Sequence, residues 1–136
     1  MTDNGKLAHL GFVQGAVNRM AGDSFLVKGW SVTLVTAIVA LAAKGGGPCL
    51  ILVAYPPTVV FWLLDAHFLR LERLYRKLYD TVRMKQAEDI DFSMDTSVFD
   101  REVASFRATM FSRTLVWFHG ILLVFITGAL VIAMTV

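Results

Sequence analysis

Three long apolar blocks constrain this chain more than any other feature of its sequence. They lie at positions 24–43, 48–66 and 115–136, and each is about twenty residues long. A bilayer core about 30 Å thick needs roughly 20 apolar residues to be crossed by a helix. Because lipid offers the backbone no hydrogen-bond partners, each block must be helical. The sequence therefore predicts an all-α integral membrane protein with three transmembrane helices.

Charged residues are concentrated between the second and third apolar blocks. Residues 67–113 contain nine of the thirteen Lys and Arg residues and eight of the eleven Asp and Glu residues. The two signs are interleaved along this segment, which argues against a basic surface for nucleic acid. The expected partners are the lipid bilayer, further copies of the chain and, as an alternative, a cytoplasmic protein.

The distribution of basic residues also predicts how the chain crosses the membrane. Loops rich in Lys and Arg stay in the cytoplasm, and the loop between the first two blocks carries only Lys44. We therefore expect a multi-pass membrane protein, with the N-terminus and segment 67–113 cytoplasmic and the C-terminus outward. Tryptophan favours the membrane interface. On this topology three tryptophans are interfacial anchors: Trp30, Trp62 and Trp117.

Segment 67–113 is predicted to be a cytoplasmic antiparallel helical hairpin. The second transmembrane helix continues into it, because apolar residues recur at spacings of three and four. These residues are Phe61, Leu64, Phe68, Leu71, Tyr75, Leu78 and Val82. Ser97 and Asp100 resemble a capping box. They predict that the return segment is a helix, which we expect to continue unbroken into the third span.

Residues 5–22 are predicted to form an N-terminal amphipathic helix. The residues at 21–24, Ala-Gly-Asp-Ser, indicate a stop and a restart, with Asp23 or Ser24 capping the first span. The amphipathic helix either completes a bundle with the hairpin or lies on the membrane surface. We favour the bundle because this segment contains few basic residues.

Two prolines and several small residues are notable within the spans. Pro56 and Pro57 interrupt the second span, where proline removes a helical hydrogen bond, and they predict either a hinge or a static kink. Pairs of small residues four positions apart allow helices to approach closely and indicate self-association. These pairs are Thr33/Ala37, Thr36/Ala40 and Ala129/Ala133.

Four ionisable residues are expected at similar depth, near the cytoplasmic ends of the spans. Lys28 and Asp65 should form an interfacial ion pair, because an unpaired charge near lipid is costly. His67 and His119 could relay protons or bind a metal, but interfacial anchoring is the favoured role.

The acidic loop at the tip of the hairpin resembles an EF-hand calcium loop. The candidate ligands are Asp89, Asp91, Ser93, Asp95 and Asp100. The resemblance is weak, since Met94 replaces the glycine that the sharp turn requires. The favoured alternative is a solvated acidic turn.

The sequence contains no recognisable catalytic motif. It lacks a Gly-x-Ser-x-Gly element, a His-Glu-x-x-His element and a phosphate-binding glycine loop. A single cysteine, Cys49, provides no disulfide framework. We therefore expect neither an enzyme nor a cofactor. The glycine run at 45–47, followed by proline, indicates a tight turn between spans.

Two stretches carry a resemblance to known proteins: RMAxxSFxxKGW at positions 19–30 and LDxxxLRxERLYRKLYDxVR at positions 64–83. They resemble small bacterial multi-pass inner-membrane proteins, and the layout is similar to that of membrane effectors of antiviral defence systems. The resemblance implies an oligomeric effector and indicates no active residue.

Three classes of function therefore follow. The first is a homo-oligomeric effector that perturbs or permeates the membrane. The second is a membrane anchor that docks a soluble partner through exposed hairpin residues such as Tyr75 and Tyr79. A small transporter subunit is least favoured, because no charged residue lies deep within a span.

Overall fold

Five α-helices account for most of the chain. The computed structural model describes residues 2–136, and no strand occurs in that range. The helices are α1 (Thr2–Leu41), α2 (Pro48–Leu52), α3 (Tyr55–Met84), α4 (Phe106–Met110) and α5 (Arg113–Thr135). Within these residues, three stretches are long and apolar enough to cross a membrane: Asp3–Gly46, Pro48–Met84 and Arg113–Thr135. The prediction of an all-helical chain with three membrane-compatible helices is confirmed.

Helix α1 runs without interruption through the break predicted at residues 21–24. Gly22 and Asp23 are helical, so neither Asp23 nor Ser24 caps a separate span, and that prediction is wrong. A glycine inside a helix costs about 1 kcal/mol relative to alanine. Packing on both sides of Gly22 offsets this cost, since Val17 and Ser24 are both buried.

Helices α1 and α3 pack side by side in opposite directions. Near the start of α1, Nζ of Lys6 donates hydrogen bonds to the carbonyl oxygens of Arg83 and Lys85 at 2.9 and 2.8 Å. These carbonyls lie at the end of α3. We call residues 2–23 and 66–112, which carry most of the charge, the polar end. Residues 24–65 and 113–136 form the apolar end.

A hydrophobic core fills the polar end. Its buried members are Val13, Leu74, Leu78, Val82, Ile90 and Phe99. Because Val13 is fully buried there, the N-terminal part of α1 packs within the polar end. Two of the apolar residues predicted to pack along α3, Leu78 and Val82, are buried in this core, but the prediction omitted Leu74, which is buried as well. Because α3 contacts both α1 and the segment that follows α3, the buried face of α3 is wider than a single line of apolar residues.

Residues 85–112 return along the polar end as an irregular strap, so the prediction of a returning helix is wrong. The strap contains short 3-10 turns at Ala87–Asp89 and Ser97–Phe99, followed by α4. The guanidinium of Arg70 donates to the carbonyl oxygens of Asp100 and Ala104 at 3.2 and 3.1 Å. Arg70 thus satisfies two backbone oxygens that accept no helical N–H in this irregular segment.

The strap also ends differently from the prediction. The turn Ser97–Phe99 is preceded by Thr96, and no side chain caps it, so the predicted capping box is absent. A bend at Phe111 and Ser112 separates α4 from α5, so the third span begins as a new helix.

A tight turn and a second core close the apolar end. The turn after α1 contains Gly45 and Gly47, whose φ angles are 113° and 73°. Residues that have a side chain rarely adopt these positive φ angles, so the glycines allow the chain to reverse direction after α1. The core beneath the turn joins all three spans and consists of Val35, Ala42, Ile51, Ala54, Leu122 and Ile126.

Candidate functional site

Four polar side chains from three helices meet where the polar end joins the apolar end. Ser24 and Lys28 lie one turn apart on α1, so they face the same side of that helix. Asp65 lies on α3 and His119 on α5. We call these four residues the ionic junction. It brings together the predicted pair, Lys28 and Asp65, and adds two residues to it.

Asp65 is the centre of the ionic junction and is fully buried. Its Oδ1 accepts hydrogen bonds from the hydroxyl of Ser24 and from Nζ of Lys28, the latter at 2.7 Å. Because a paired carboxylate can only accept, Nε2 of His119 donates to its Oδ2, at 2.9 Å. Nζ of Lys28 also donates to Oγ of Ser24 at 2.9 Å. One carboxylate therefore links α1, α3 and α5.

Aromatic rings enclose the ionic junction. The imidazole of His119 stacks on the indole of Trp62, with ring centres 5.6 Å apart and an angle of 8° between the planes. Phe118 meets the imidazole edge-on at 5.0 Å, and Nζ of Lys28 lies 5.8 Å from the Phe118 ring centre. These rings exclude water, which strengthens the hydrogen bonds that they surround.

One buried atom of the ionic junction has no partner. Nδ1 of His119 forms no hydrogen bond within the described residues. With Nε2 as the donor, Nδ1 of a neutral ring carries a lone pair, so no buried N–H group lacks an acceptor. Each charge that remains, on Lys28 and on Asp65, has its counter-charge. This arrangement suits the joining of three helices. The part of the chain that the structure describes contains no group of three or more His, Cys, Asp or Glu residues that could hold a metal ion.

The other residues predicted at this depth are placed differently. His67 is exposed, contacts Phe68 and takes no part in the ionic junction. The indole N–H of Trp62 points inward and donates to the carbonyl oxygen of Met110 at 2.8 Å. Trp30 and Trp117 are 59% and 67% exposed. An interfacial role for the tryptophans stays a prediction, and Trp62 has the additional role of holding α4 against α3.

The chain breaks its helix immediately before the two prolines. Helix α2 ends at Leu52 and α3 begins at Tyr55, so Pro56 and Pro57 lie in the first turn of α3. Proline is tolerated there because the first N–H groups of a helix have no intrahelical acceptor. The structure shows an interruption of the helix at Val53 and Ala54, whereas a hinge movement there stays a prediction.

The acidic loop uses its carboxylates to form turns. Oδ1 of Asp91 accepts from the backbone N–H of Ser93 at 3.2 Å, and Oδ1 of Asp95 accepts from that of Ser97 at 2.9 Å. These N–H groups hold the pKa of both carboxyls below the ordinary value. Asp100 instead pairs with Arg70 at 2.8 Å. The geometry therefore argues against the weak calcium-site candidate at Asp89, Asp91, Ser93, Asp95 and Asp100, and agrees with the favoured acidic turn.

Sequence reasoning assigned other roles to two members of the ionic junction. Ser24 was assigned to a helix cap and His119 to interfacial anchoring. The spacing of Ser24 and Lys28 was the available signal, because residues four apart share a helix face. Comparisons with protein-family models, with curated proteins and with solved structures found no match.

Proposed function

We propose that this protein is a homo-oligomeric, non-enzymatic protein of the bacterial inner membrane that perturbs or permeates the bilayer as an effector of the defence type. The observation that supports the proposal is the outward face of α1. Three helices are too few to enclose a pathway, so a pore requires several copies and a surface on which they meet.

Small residues recur on that outward face along both ends of the molecule, with the exposed Asn18 among them and Phe25 at the edge of the face. No other part of the chain comes within 4 Å of the position that a Cβ would take at Gly11, Gly15, Gly22 or Gly29. At about 100° per residue, these four positions fall within about 40° of one another around α1. The same face continues through three exposed residues of the apolar end: Thr33, Thr36 and Ala40. We call these seven residues the glycine face.

The glycine face suits contact between helices of separate copies. Small residues allow two helix backbones to approach closely, and at the apolar end, from Gly29 to Ala40, such close packing is what associates helices in lipid. The other small pair, Ala129 and Ala133, is half-buried against the core of the apolar end and is already used within one copy. Of the pairs of small residues that predicted self-association, those on α1, Thr33/Ala37 and Thr36/Ala40, are therefore the ones exposed for contact with another copy. The similarity of layout to defence effectors points to the same function.

A matched pair of substitutions tests the oligomer. Gly15→Leu fills the glycine face, and Gly128→Leu adds the same side chain to the outward face of α5, where the glycine is also free of contacts. We expect light scattering in nanodiscs to show a defined oligomer of four or more copies for the native protein and for Gly128→Leu. Gly15→Leu should be dispersed to smaller species.

Activity should follow the oligomer. Induced expression of the native protein and of Gly128→Leu should admit a membrane-impermeant dye, whereas Gly15→Leu should be harmless at equal abundance in the membrane. A native monomer in nanodiscs would overturn the proposal. Dye entry that persists in a dispersed Gly15→Leu variant would do the same.

A second candidate is a membrane anchor that docks a soluble protein. Large apolar side chains are exposed at the polar end, where no lipid is expected to cover them: Phe12 is 71%, Met84 78% and Val98 70% exposed. Tyr75 and Tyr79, which the sequence suggested for docking, are instead half-buried against the core. The anchor predicts harmless expression and a co-purifying soluble protein that Phe12→Ser loses and Phe25→Ser, on the apolar end, retains.

A further inference from the structure

We propose that the outward face of α5, next to the ionic junction, binds one anionic phospholipid, with its phosphate at Arg113 and an acyl chain in the groove beside Gly120. The inference requires insertion of the three apolar helices into a bilayer. It does not depend on the number of copies, so it stands apart from the effector proposal.

Arg113 offers an unpaired guanidinium for the headgroup. Its side chain is exposed, and no carboxylate of residues 2–136 lies within ion-pair distance of it. Arg107, on the other side of the bend between α4 and α5, is likewise exposed and unpaired. Of the four arginines of α3, Arg70, Arg76 and Arg83 each have a carboxylate partner, whereas Arg73 has none within residues 2–136 but lies two turns beyond Asp65, within the polar end. A guanidinium binds phosphate through two parallel hydrogen bonds, so a free one beside a bilayer favours an anionic lipid.

The contacts of α5 place Arg113 at the level where the hydrocarbon should begin. His119 is held at Asp65, and the carbonyl of Met110 is held by Trp62, one turn away on α3. Beyond the ionic junction toward the apolar end, Lys44 is the only charged side chain in the described chain. The bend before α5 therefore lies at the boundary between charged and uncharged layers, where lipid phosphates reside.

A groove for the acyl chain begins next to Arg113. It has a volume of about 380 Å³ and is lined by Val116, Trp117, Gly120, Ile121 and Val124. Gly120 and Val124 follow Arg113 by seven and eleven residues, so all three lie on one side of α5. The groove is deep at Gly120 because the residue has no side chain and no neighbour within 4 Å. Its apolar lining suits a hydrocarbon chain.

The charge at this face favours a lipid over a second copy of the chain. A two-fold contact between the outward faces of two α5 helices would bring the same patch of each copy together. It would therefore place two unpaired Arg113 side chains near each other, with no carboxylate of residues 2–136 in either chain to offset their repulsion. An anionic lipid instead supplies the missing counter-charge.

Native mass spectrometry of the full chain in detergent, with phosphatidylglycerol and phosphatidylcholine added in equal amounts, tests the site. We expect one retained phosphatidylglycerol per chain. Arg113→Gln should lower the preference for phosphatidylglycerol about fivefold, and Arg107→Gln with Arg113→Gln about 30-fold. Arg113→Lys should keep most of the preference, which separates charge from folding. Arg101→Gln with Lys85→Gln removes two charges from the polar end and should change nothing.

The groove is tested separately from the headgroup. Gly120→Leu should reduce the retention of both lipids, because the new side chain fills the groove. Gly128→Leu, two turns further along α5, should retain them. Any of three results would overturn the proposed lipid site. The native protein could show no preference for phosphatidylglycerol, the control variant with Arg101→Gln and Lys85→Gln could lose as much preference as Arg107→Gln with Arg113→Gln, or Gly120→Leu could retain both lipids fully.

Discussion

The ionic junction makes a quantitative prediction about Lys28 and Asp65. At an effective dielectric constant of about 20, two unit charges 2.7 Å apart attract each other by about 6 kcal/mol. The exposure of Lys28, whose side chain is 20% accessible, reduces this attraction. We therefore expect a coupling free energy of about 3 kcal/mol between the two side chains.

A double-mutant cycle measures that coupling. Asp65→Asn leaves an ammonium without its counter-charge, and Lys28→Met leaves a buried carboxylate without one. Each should destabilise the protein by about 3 kcal/mol or more, because breaking a buried pair strands the other charge. The double variant should lose much less than the sum. The assay is the free energy of unfolding in mixed micelles, followed by circular dichroism.

An exposed pair on α3 is the matched control. Glu72 and Arg76 approach to 2.7 Å, but the Arg76 side chain is 63% exposed. Their cycle, with Glu72→Gln and Arg76→Gln, should give about 0.5 kcal/mol or less. Strictly additive losses at Lys28 and Asp65, or a coupling no larger than that of the control, would refute the reasoning that the ionic junction stabilises the three-helix arrangement.

Three further predictions follow from the local geometry. Gly45→Ala should destabilise the protein by about 1–2 kcal/mol, because its backbone is in the left-handed region, whereas Gly128→Ala should not; equal melting temperatures would contradict this. Trp62→Phe keeps an aromatic side chain but removes the N–H bond to α4 and part of the ring that stacks on His119, so it should cost at least about 1 kcal/mol and raise hydrogen exchange in the strap, and unchanged exchange would count against it. The lowered pKa of Asp91 means that its turn is stabilised at pH above the ordinary value of 3.8 and lost as pH falls through the lower folded value. The NMR chemical shift of the Ser93 backbone amide should therefore change with pH about a midpoint below pH 3.8. A midpoint at or above pH 3.8 would contradict the hydrogen bond to Asp91.

The features that the sequence predicted correctly depend on local composition. Long apolar blocks can satisfy their backbones in lipid only as helices, so the three membrane-compatible helices followed directly from the sequence. The glycine run predicted the turn at Gly45 and Gly47, because those residues adopt φ angles that others avoid. The effect of Pro56 and Pro57 on the helix was also local. The similar depth of Lys28 and Asp65 led to their expected pairing.

The features that the sequence missed depend on contacts between distant segments. Gly22 and Asp23 favour a helix end, but α1 continues through them because it contacts α3 on both sides of these residues, at Val13 and at Ser24. Ser97 and Asp100 favour a returning helix, yet the strap is irregular, and Arg70 of α3 donates to the backbone oxygens of Asp100 and Ala104.

The ionic junction shows the same division between sequence and tertiary structure. The positions of Lys28 and Asp65 in the sequence already indicate that both require partners, because unpaired charges are costly near lipid. That Ser24 and His119 complete the set is visible only in the folded chain, because their positions depend on how α1 and α5 pack against α3. Helix formation depends on neighbouring residues, whereas the choice of partner depends on the packing of segments far apart in the chain.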